Sequence, residues 1–560
     1  PILAALGPDD VHAMEFQSIL TAARNLPTHR ETDPDRIAER HREKEVLKRR
    51  RDALVQDQPI VAEAVDRALD VLDGEPGDPA SFDAFDALLG VQPYRLAYWR
   101  VASDEINYRR FFDINALAAL RADREEVLRA THRLVLNLAA SLPAAGLRID
   151  HPDGLLDPRT YLDRLQEEFV VVVAERIHQS RPEAETIPWA EIEPELRARL
   201  PPRLYVVVEK ILALDEPLPE GWATHGTSGY DALNRINGLF VDSSSEATFT
   251  RQYEELIDDP TSYRDLVIEK KQLIMNASLS SELHVLAYQL ERIALHDRRA
   301  RDFTLNTLRT ALREVIAAFP VYRSYITAQG VSAKDRELVG RAVGRAKRRN
   351  PLLSPAIFDF LSRVLLDRSE RSPEAPALET SEADFAGKFQ QVTAPVTAKG
   401  IEDTTFYIYN RLISLNEVGG EPDHFGASPS SLHKWFIRRA QTHPYALTAL
   451  STHDTKRGED VRARIDVLSE IPDEWFDAFV HWAELNLIHH RTVADDFAAP
   501  GRNDEYLLYQ TLLGAWPLED MDDAAMDEFR DRIRAYMVKA TREAKVHTSW
   551  QNPSEDYESA

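Results

Sequence analysis

Three apolar runs in this sequence each lead into a carboxylate. They are Gly146-Leu147-Arg148-Ile149-Asp150, Leu204-Tyr205-Val206-Val207-Val208-Glu209, and Ala446–Leu450 followed by Ser451-Thr452-His453-Asp454. Continuous apolar runs of this length suit parallel strands covered on both faces. In parallel α/β barrels, residues far apart in sequence converge at the C-terminal strand ends. Burial and neighbouring charge there push carboxyl pKa values apart, so that one ionises while another keeps its proton. Cleavage of a glycosidic bond with retention needs such a pair, a nucleophile and a proton donor about 5–5.5 Å apart. Taken singly, each acid is better read as the cap of a following loop or helix. Taken together, with Arg148 two residues before Asp150 and therefore on the same strand face, they favour chemistry.

Other chemistries find less support. His151 and Asp153 follow Asp150, and His453 precedes Asp454, but no His-x-x-x-His or carboxylate cluster with ligand spacing accompanies them, so no metal is expected. His489 and His490 stand about 100° apart on a helix and cannot easily share an ion. There is no Gly-rich phosphate loop and no Gly-x-Ser-x-Gly elbow, and no cofactor is expected. The chain has 560 residues, 68 Lys and Arg against 93 Asp and Glu, and a net charge of −25. That balance argues against nucleic acid or an anionic membrane surface as partner. With 0 cysteines there is no disulfide, thiolate site or cysteine nucleophile. No run approaches the roughly 18 apolar residues of a membrane span, and Pro1–Gly7 does not read as a signal peptide, so a cytoplasmic protein is expected.

The elements that must hold these residues are legible in part. Asp33-Pro34 caps and opens a charged helix through Leu54, whose Arg and Lys residues read as a solvated face rather than a phosphate grip. Residues 83–121 mix aromatic and charged side chains, with Tyr94, Tyr98, Trp99, Tyr108, Phe111 and Phe112 among them. Such a stretch suits either a sugar-stacking surface or ordinary packing. Glu125–Leu142 has helical spacing, and Asp157-Pro158 caps a helix with Leu162, Leu165, Phe169 and Val172 on one face. This helix lies between the first two apolar runs, so strand, helix and strand make a parallel crossover. Ser245–Arg371 reads as helical, with Leu283, Leu286, Leu290 and Ile293 on one face. Ser369–Glu382 reads as a linker, and Ser549–Ala560 as a frayed tail. The expected divisions are 1–120, helical and aromatic-rich; 121–244, with the first two acids; 245–384, helical; 385–470, with the third acid; and 471–560, helical.

Gly146–Asp150 with His151, Val207-Val208-Glu209, and Ser451–Asp454 resemble conserved regions of the α-amylase superfamily of glycoside hydrolases. Longer strings resemble one branch, the maltooligosyltrehalose synthases. They are LAYWRVASDEINYRRFFDIN (96–115), GLRIDHPDGLLDP (146–158), EKILALDEPLP (209–219), GTSGYDALNRINGLFVD (226–242), QVTAPVTAKGIEDTTFYIYNRLISLNEVGGEP (391–422) and ALSTHDTKRGEDVRARI (449–465). The superfamily's Asn-His region is missing. The resemblance therefore implies a (β/α)8 barrel of the α-amylase type, incomplete at both ends, with large helical insertions. It implies conversion of the reducing-end α-1,4 bond of a maltooligosaccharide into an α,α-1,1 bond. Asp150 would be the nucleophile, Glu209 the acid and base, and Asp454 the transition-state stabiliser. Arg148, His151, His453, Tyr98, Trp99 and Lys399 would bind or position substrate, with 94–112 and 245–380 enclosing it. It also implies functional pairing with a trehalose-releasing hydrolase. A hydrolase with the same acids, or a non-catalytic carbohydrate-binding fragment, stays open.

Overall fold

The structure, a computed structural model, describes the chain except residues 1, 7–9, 29, 143–144, 182–186, 198–203, 258–261, 368–381 and 494–497. The expected linker 369–382 lies outside the described residues apart from Glu382. Two compact units divide at Val101 and Ala102.

The first unit is helical. Asp33 accepts the Asp35 N–H at 2.9 Å and Pro34 opens a helix to Asp57, three residues past the expected end. That helix buries none of its residues and pairs its charges along its own surface, Arg36 with Glu39 and Lys48 with Glu45. It is the solvated face the charge pattern predicts. Leu6, Ala13, Phe16, Val61 and Ala64 form the small core.

In the second unit a hairpin comes first, β1 (Arg110–Phe111) against β2 (Ile114–Ala118), turning at Phe112 with φ 50. The expected crossover follows. β3 (Gly146–Ile149) pairs in parallel with β4 (Tyr205–Val208), Ile149 opposite Val208, and the helix Pro158–Gln179 lies between them in sequence. Leu128, Leu136, Leu162, Leu165, Val206 and Val208 are buried together beneath this pair.

The third apolar run is not a strand. Beyond β4 the chain 226–228 runs alongside, Val208 N–H donating to Gly226 O at 3.0 Å, and Leu447 N–H then donates to Thr227 O at 3.1 Å. Leu447 and Leu450 are exposed. The run lacks the two-sided burial and the ladder of bonds that would make it a third strand. Its approach is close enough to require glycine. A Cβ on Gly226 would lie 2.3 Å from Ala446 Cβ, and one on Gly229, at φ +109, would lie 2.6 Å from Ala449 N. Among the described residues the implied barrel is thus represented by one parallel strand pair and an irregular margin.

Helices from Tyr263 to Leu366, with Glu382–Thr397, surround the largest core, and Leu283, Leu286, Leu290 and Ile293 all face into it as expected. A second core gathers Phe249, Tyr253, Ile413, Trp475, Phe479, Tyr506 and Tyr509. The expected frayed tail is docked instead. Glu555–Ser559 is helical, Tyr557 is buried, and its hydroxyl donates to Asp504 Oδ2 at 2.5 Å. Polar composition concealed one aromatic anchor. No described helix is long and apolar enough to cross a membrane.

Candidate active site

The register of β3 and β4 sets the first two carboxylates side by side. Asp150 and Glu209 each follow the last residue of their strand, and Glu209 N–H donates to Ile149 O at 2.8 Å. Arg148 points to the same side as Asp150, and its Nη1 lies 2.7 Å from Asp150 Oδ1. His151 turns the chain in the left-handed region at φ 43, which sends its N–H onto Glu209 Oε2 at 2.9 Å. Its ring packs against Phe111 and Phe112, centroids 5.5 and 4.6 Å away. Burial there pushes the imidazole pKa down to about 4, so the ring is neutral at physiological pH.

Glu209 has the opposite perturbation. Burial pushes its carboxyl up, the His151 N–H opposes this, and the charges of Asp150 and Glu402 add to the rise, to about 8. Asp150 is 54% exposed and held by a guanidinium. Two adjacent strand ends therefore present a carboxylate paired with a cation and a carboxyl that retains its proton at neutral pH.

Asp454 stands on the loop after the third run, 52% exposed, with His453 Nε2 3.1 Å from its Oδ2. The Asp454 N–H donates to Thr452 Oγ1 at 3.1 Å, and that hydroxyl meets Tyr230 OH at 2.8 Å. Burial first, then the charges of Asp454 and Glu209, raise the Tyr230 hydroxyl pKa, against the opposing Thr452 bond and Arg148. Tyr230 thus touches the loop of the third acid through Thr452 and feels the charge of Glu209. A buried ion pair holds the loop from beneath. Glu417 accepts the N–H groups of Lys456 at 2.7 Å and Arg457 at 3.1 Å, while Arg462, 3.3 Å from Glu417, donates to Leu450 O and Arg457 O. Both partners are at most 2% exposed, and the geometry satisfies the desolvated charges that would otherwise destabilise the loop.

Lys399 sits on a π-helical turn, Ala398–Glu402, that extends the helix Glu382–Thr397. Such turns break the helical ladder and are frequent at functional sites. Its Nζ lies 3.1 Å from Asp403, 3.4 Å from Asp113, and 5.5 Å from the centre of the Phe112 ring. Glu402, on the same turn, accepts from Tyr322 OH and from Gly419 N–H, and burial pushes its carboxyl up to about 7. Glu402, Tyr322 and Tyr230 escaped the sequence reading, although Glu402 and Tyr230 lie within the family-like strings. The turn rests on the helix Tyr263–Ala277: a Cβ on Gly400 would lie 2.8 Å from Lys271 Cγ and 3.0 Å from its Cα.

Tyr98 and Trp99 belong to the first unit. Both are exposed, with ring centroids 5.7 Å apart and the Arg100 guanidinium over each. Glu421, Asp423 and His424 converge elsewhere, within 4.8 Å of one another. Hydrogen bonds to those carboxylates push His424 up to about 10, and Arg264 lies 2.9 Å from Asp423. A protonated imidazole with a guanidinium beside it is an ion-pair cluster, not a ligand set. His490 pairs with Glu505 at 3.6 Å rather than with His489.

No family model matches the chain. A curated Mycobacterium tuberculosis protein, provisionally named a maltooligosyl trehalose synthase, is 33% identical over 467 residues, 83% of this chain and 51% of that protein. The solved maltooligosyltrehalose synthase of Arthrobacter ramosus is 32% identical, with a TM-score of 0.66 over 87% of this chain and 52% of its own. The Sulfolobus tokodaii structure, titled a hypothetical maltooligosyl trehalose synthase, is 30% identical with a TM-score of 0.62, over 85% and 53%. The chain spans about half the length of the relatives it matches. Over that span it belongs to the family of the maltooligosyltrehalose synthases.

Proposed function

We propose that this chain carries the catalytic carboxylates of an intramolecular transglucosylation on maltooligosaccharides. In this reading β3 and β4 are two strands of a (β/α)8 barrel. Asp150 attacks C1 of the penultimate glucose, and the bond from C1 to the 4-oxygen of the reducing-end glucose breaks. Glu209 protonates that oxygen as it leaves. The His151 N–H occupies Glu209 Oε2, so Oε1 carries the proton. The released glucose turns and offers its anomeric hydroxyl, Glu209 takes that proton back, and C1 passes from Asp150 to the new oxygen. Two displacements retain the α configuration at C1, and no atom is gained or lost. Asp454 stabilises the positive charge that builds on the ring, and Lys399 and His453 bind sugar. The product is a substrate for a hydrolase that releases trehalose, and the setting is cytoplasmic.

The observation that carries this reading is the split between the Glu209 carboxyl, raised to about 8, and the Asp150–Arg148 pair on the neighbouring strand end. The test follows reducing ends and mass together on maltopentaose. Transglucosylation lowers reducing power while oligomer mass stays constant. The exposed Asp150 and Asp454 admit water, so a small release of glucose accompanies the main product. A steady rise in reducing ends with shortened oligomers would replace this reading with a hydrolase, and no change in either would leave a binding fragment.

A further inference from the structure

We propose that Arg323 is the positioning residue of the acid. It reaches from the helical region to hold the backbone after His151 and so fixes the His151 N–H on Glu209. The inference rests on the reading of Glu209 as the acid and adds to it what sets that residue's geometry.

Arg323 is 1% exposed. Its Nη1 donates to Asp153 O at 2.7 Å and Leu155 O at 2.6 Å, its Nη2 to Leu156 O at 3.3 Å, and its Nε to Ser324 O at 3.0 Å. A buried cation is tolerated only with its donors satisfied, and here carbonyls of one turn do most of this. Only the planar fork of a guanidinium spans several acceptors in fixed directions; an ammonium cannot. The same turn is gripped by Tyr325 OH on Asp153 Oδ1 at 2.6 Å, Lys210 Nζ on Asp153 Oδ2 at 3.2 Å, and Arg109 on Gly154 O at 2.8 Å.

The grip matters because His151 is in a costly conformation. A side chain at φ 43 persists only where surrounding contacts over-determine it. The turn folds directly onto its ring: a Cβ on Gly154 would lie 2.5 Å from His151 Cδ2. Released carbonyls at 153–156 would let the chain leave the left-handed region. The His151 N–H would then swing away from Glu209. The helical region therefore serves the site as a buttress through Arg323 and Tyr325.

The test is the titration of His151 and Glu209 in the whole chain, read by NMR on labelled imidazole and carboxyl carbons. Asp153, Asp150, Arg109 and Arg323 are the charged groups around His151, and Asp150, Glu402 and Arg148 those around Glu209. Arg323→Lys keeps the positive charge and loses the fork. Water then reaches the imidazole, and its midpoint rises from about 4 toward the ordinary 6.5. Loss of the His151 N–H moves the Glu209 midpoint above about 8. Tyr325→Phe removes one grip on Asp153 and shifts both midpoints the same way by less. Arg462→Lys, a buried arginine under the Asp454 loop, leaves both in place. Unchanged midpoints in folded Arg323→Lys overturn the proposal, as do equal shifts in Arg462→Lys. If Arg323→Lys does not fold, Tyr325→Phe decides, and absence of any shift there overturns it too. None of these measurements needs turnover, so the reducing-end assay can fail while this proposal stands, and the reverse.

Discussion

Asp150→Asn lowers maltopentaose turnover by at least about 10³-fold while leaving the fold intact. The substitution keeps the shape of the side chain and exchanges an anionic oxygen for an amide. The amide cannot form the glycosyl ester through which the proposed reaction passes. Its partner Arg148 can still donate to the amide oxygen and, being about one-third exposed, leaves its unmatched charge to solvent. Asp150 is half exposed and supports no core packing, so the melting temperature should move little. The measurement is single-turnover kinetics beside a thermal melt. Near-normal turnover would remove Asp150 from the nucleophile's role. A large fall in melting temperature with the loss of activity would make its role structural.

Glu209→Gln separates two kinds of substrate. A glycosidic oxygen leaves only when protonated, so natural maltooligosaccharides lose about 10²–10⁴-fold, the usual worth of general acid catalysis. A glycosyl fluoride needs no such proton, and formation of its covalent intermediate is spared. Equal losses on both would mark Glu209 as structural. The same variant has a signature that needs no substrate. The carboxyl is raised from 4.5 to about 8 in the fold. Between those values the unfolded chain ionises and the folded chain does not. The parent protein therefore holds this group's full contribution below about 4.5 and loses stability as the pH rises toward 8. Glutamine does not titrate. The stability of Glu209→Gln relative to the parent should rise across that window and level off above it. A flat difference from pH 4 to 9 would contradict the raised carboxyl.

The strand ends were legible because burial on both faces writes a continuous apolar run, and Leu204–Val208 and Gly146–Ile149 show it. Ala446–Leu450 is also largely apolar and has a different outcome. Leu447 and Leu450 face outward, and its closeness to the sheet depends on Gly226 and Gly229, whose absent side chains carry no hydropathy signal. Asp150, Arg148 and Glu209 lie together at adjacent strand ends, and His151, which only the resemblance had placed in the site, meets Glu209 through its N–H. Glu402 and Tyr322 were not legible, because only the packing of distant helices places them near Glu209. Polar residues brought in by tertiary contact have no period to follow. Tyr557 shows the same limit for anchoring: one buried aromatic and the Glu558 carboxylate paired with Arg542 dock an acidic tail whose composition shows neither contact.

The bare backbone of Gly400, seated on Lys271, has a consequence for how the protein fails on heating. A seam with no side chain on the glycine side brings the turn against the helix backbone and transmits displacement with little give. The π-helical turn that carries Lys399 and Glu402 therefore moves with the helix Tyr263–Ala277 as one body. Lys271 lies in that helix with its ammonium fully buried, donating to Phe319 O at 3.0 Å, and burial lowers its pKa to about 7. The first loosening of the helical core would let water reach this lysine and would tilt the turn in the same motion. The contact that the proposed function gives Lys399 should then weaken at the temperature at which Lys271 becomes accessible to water.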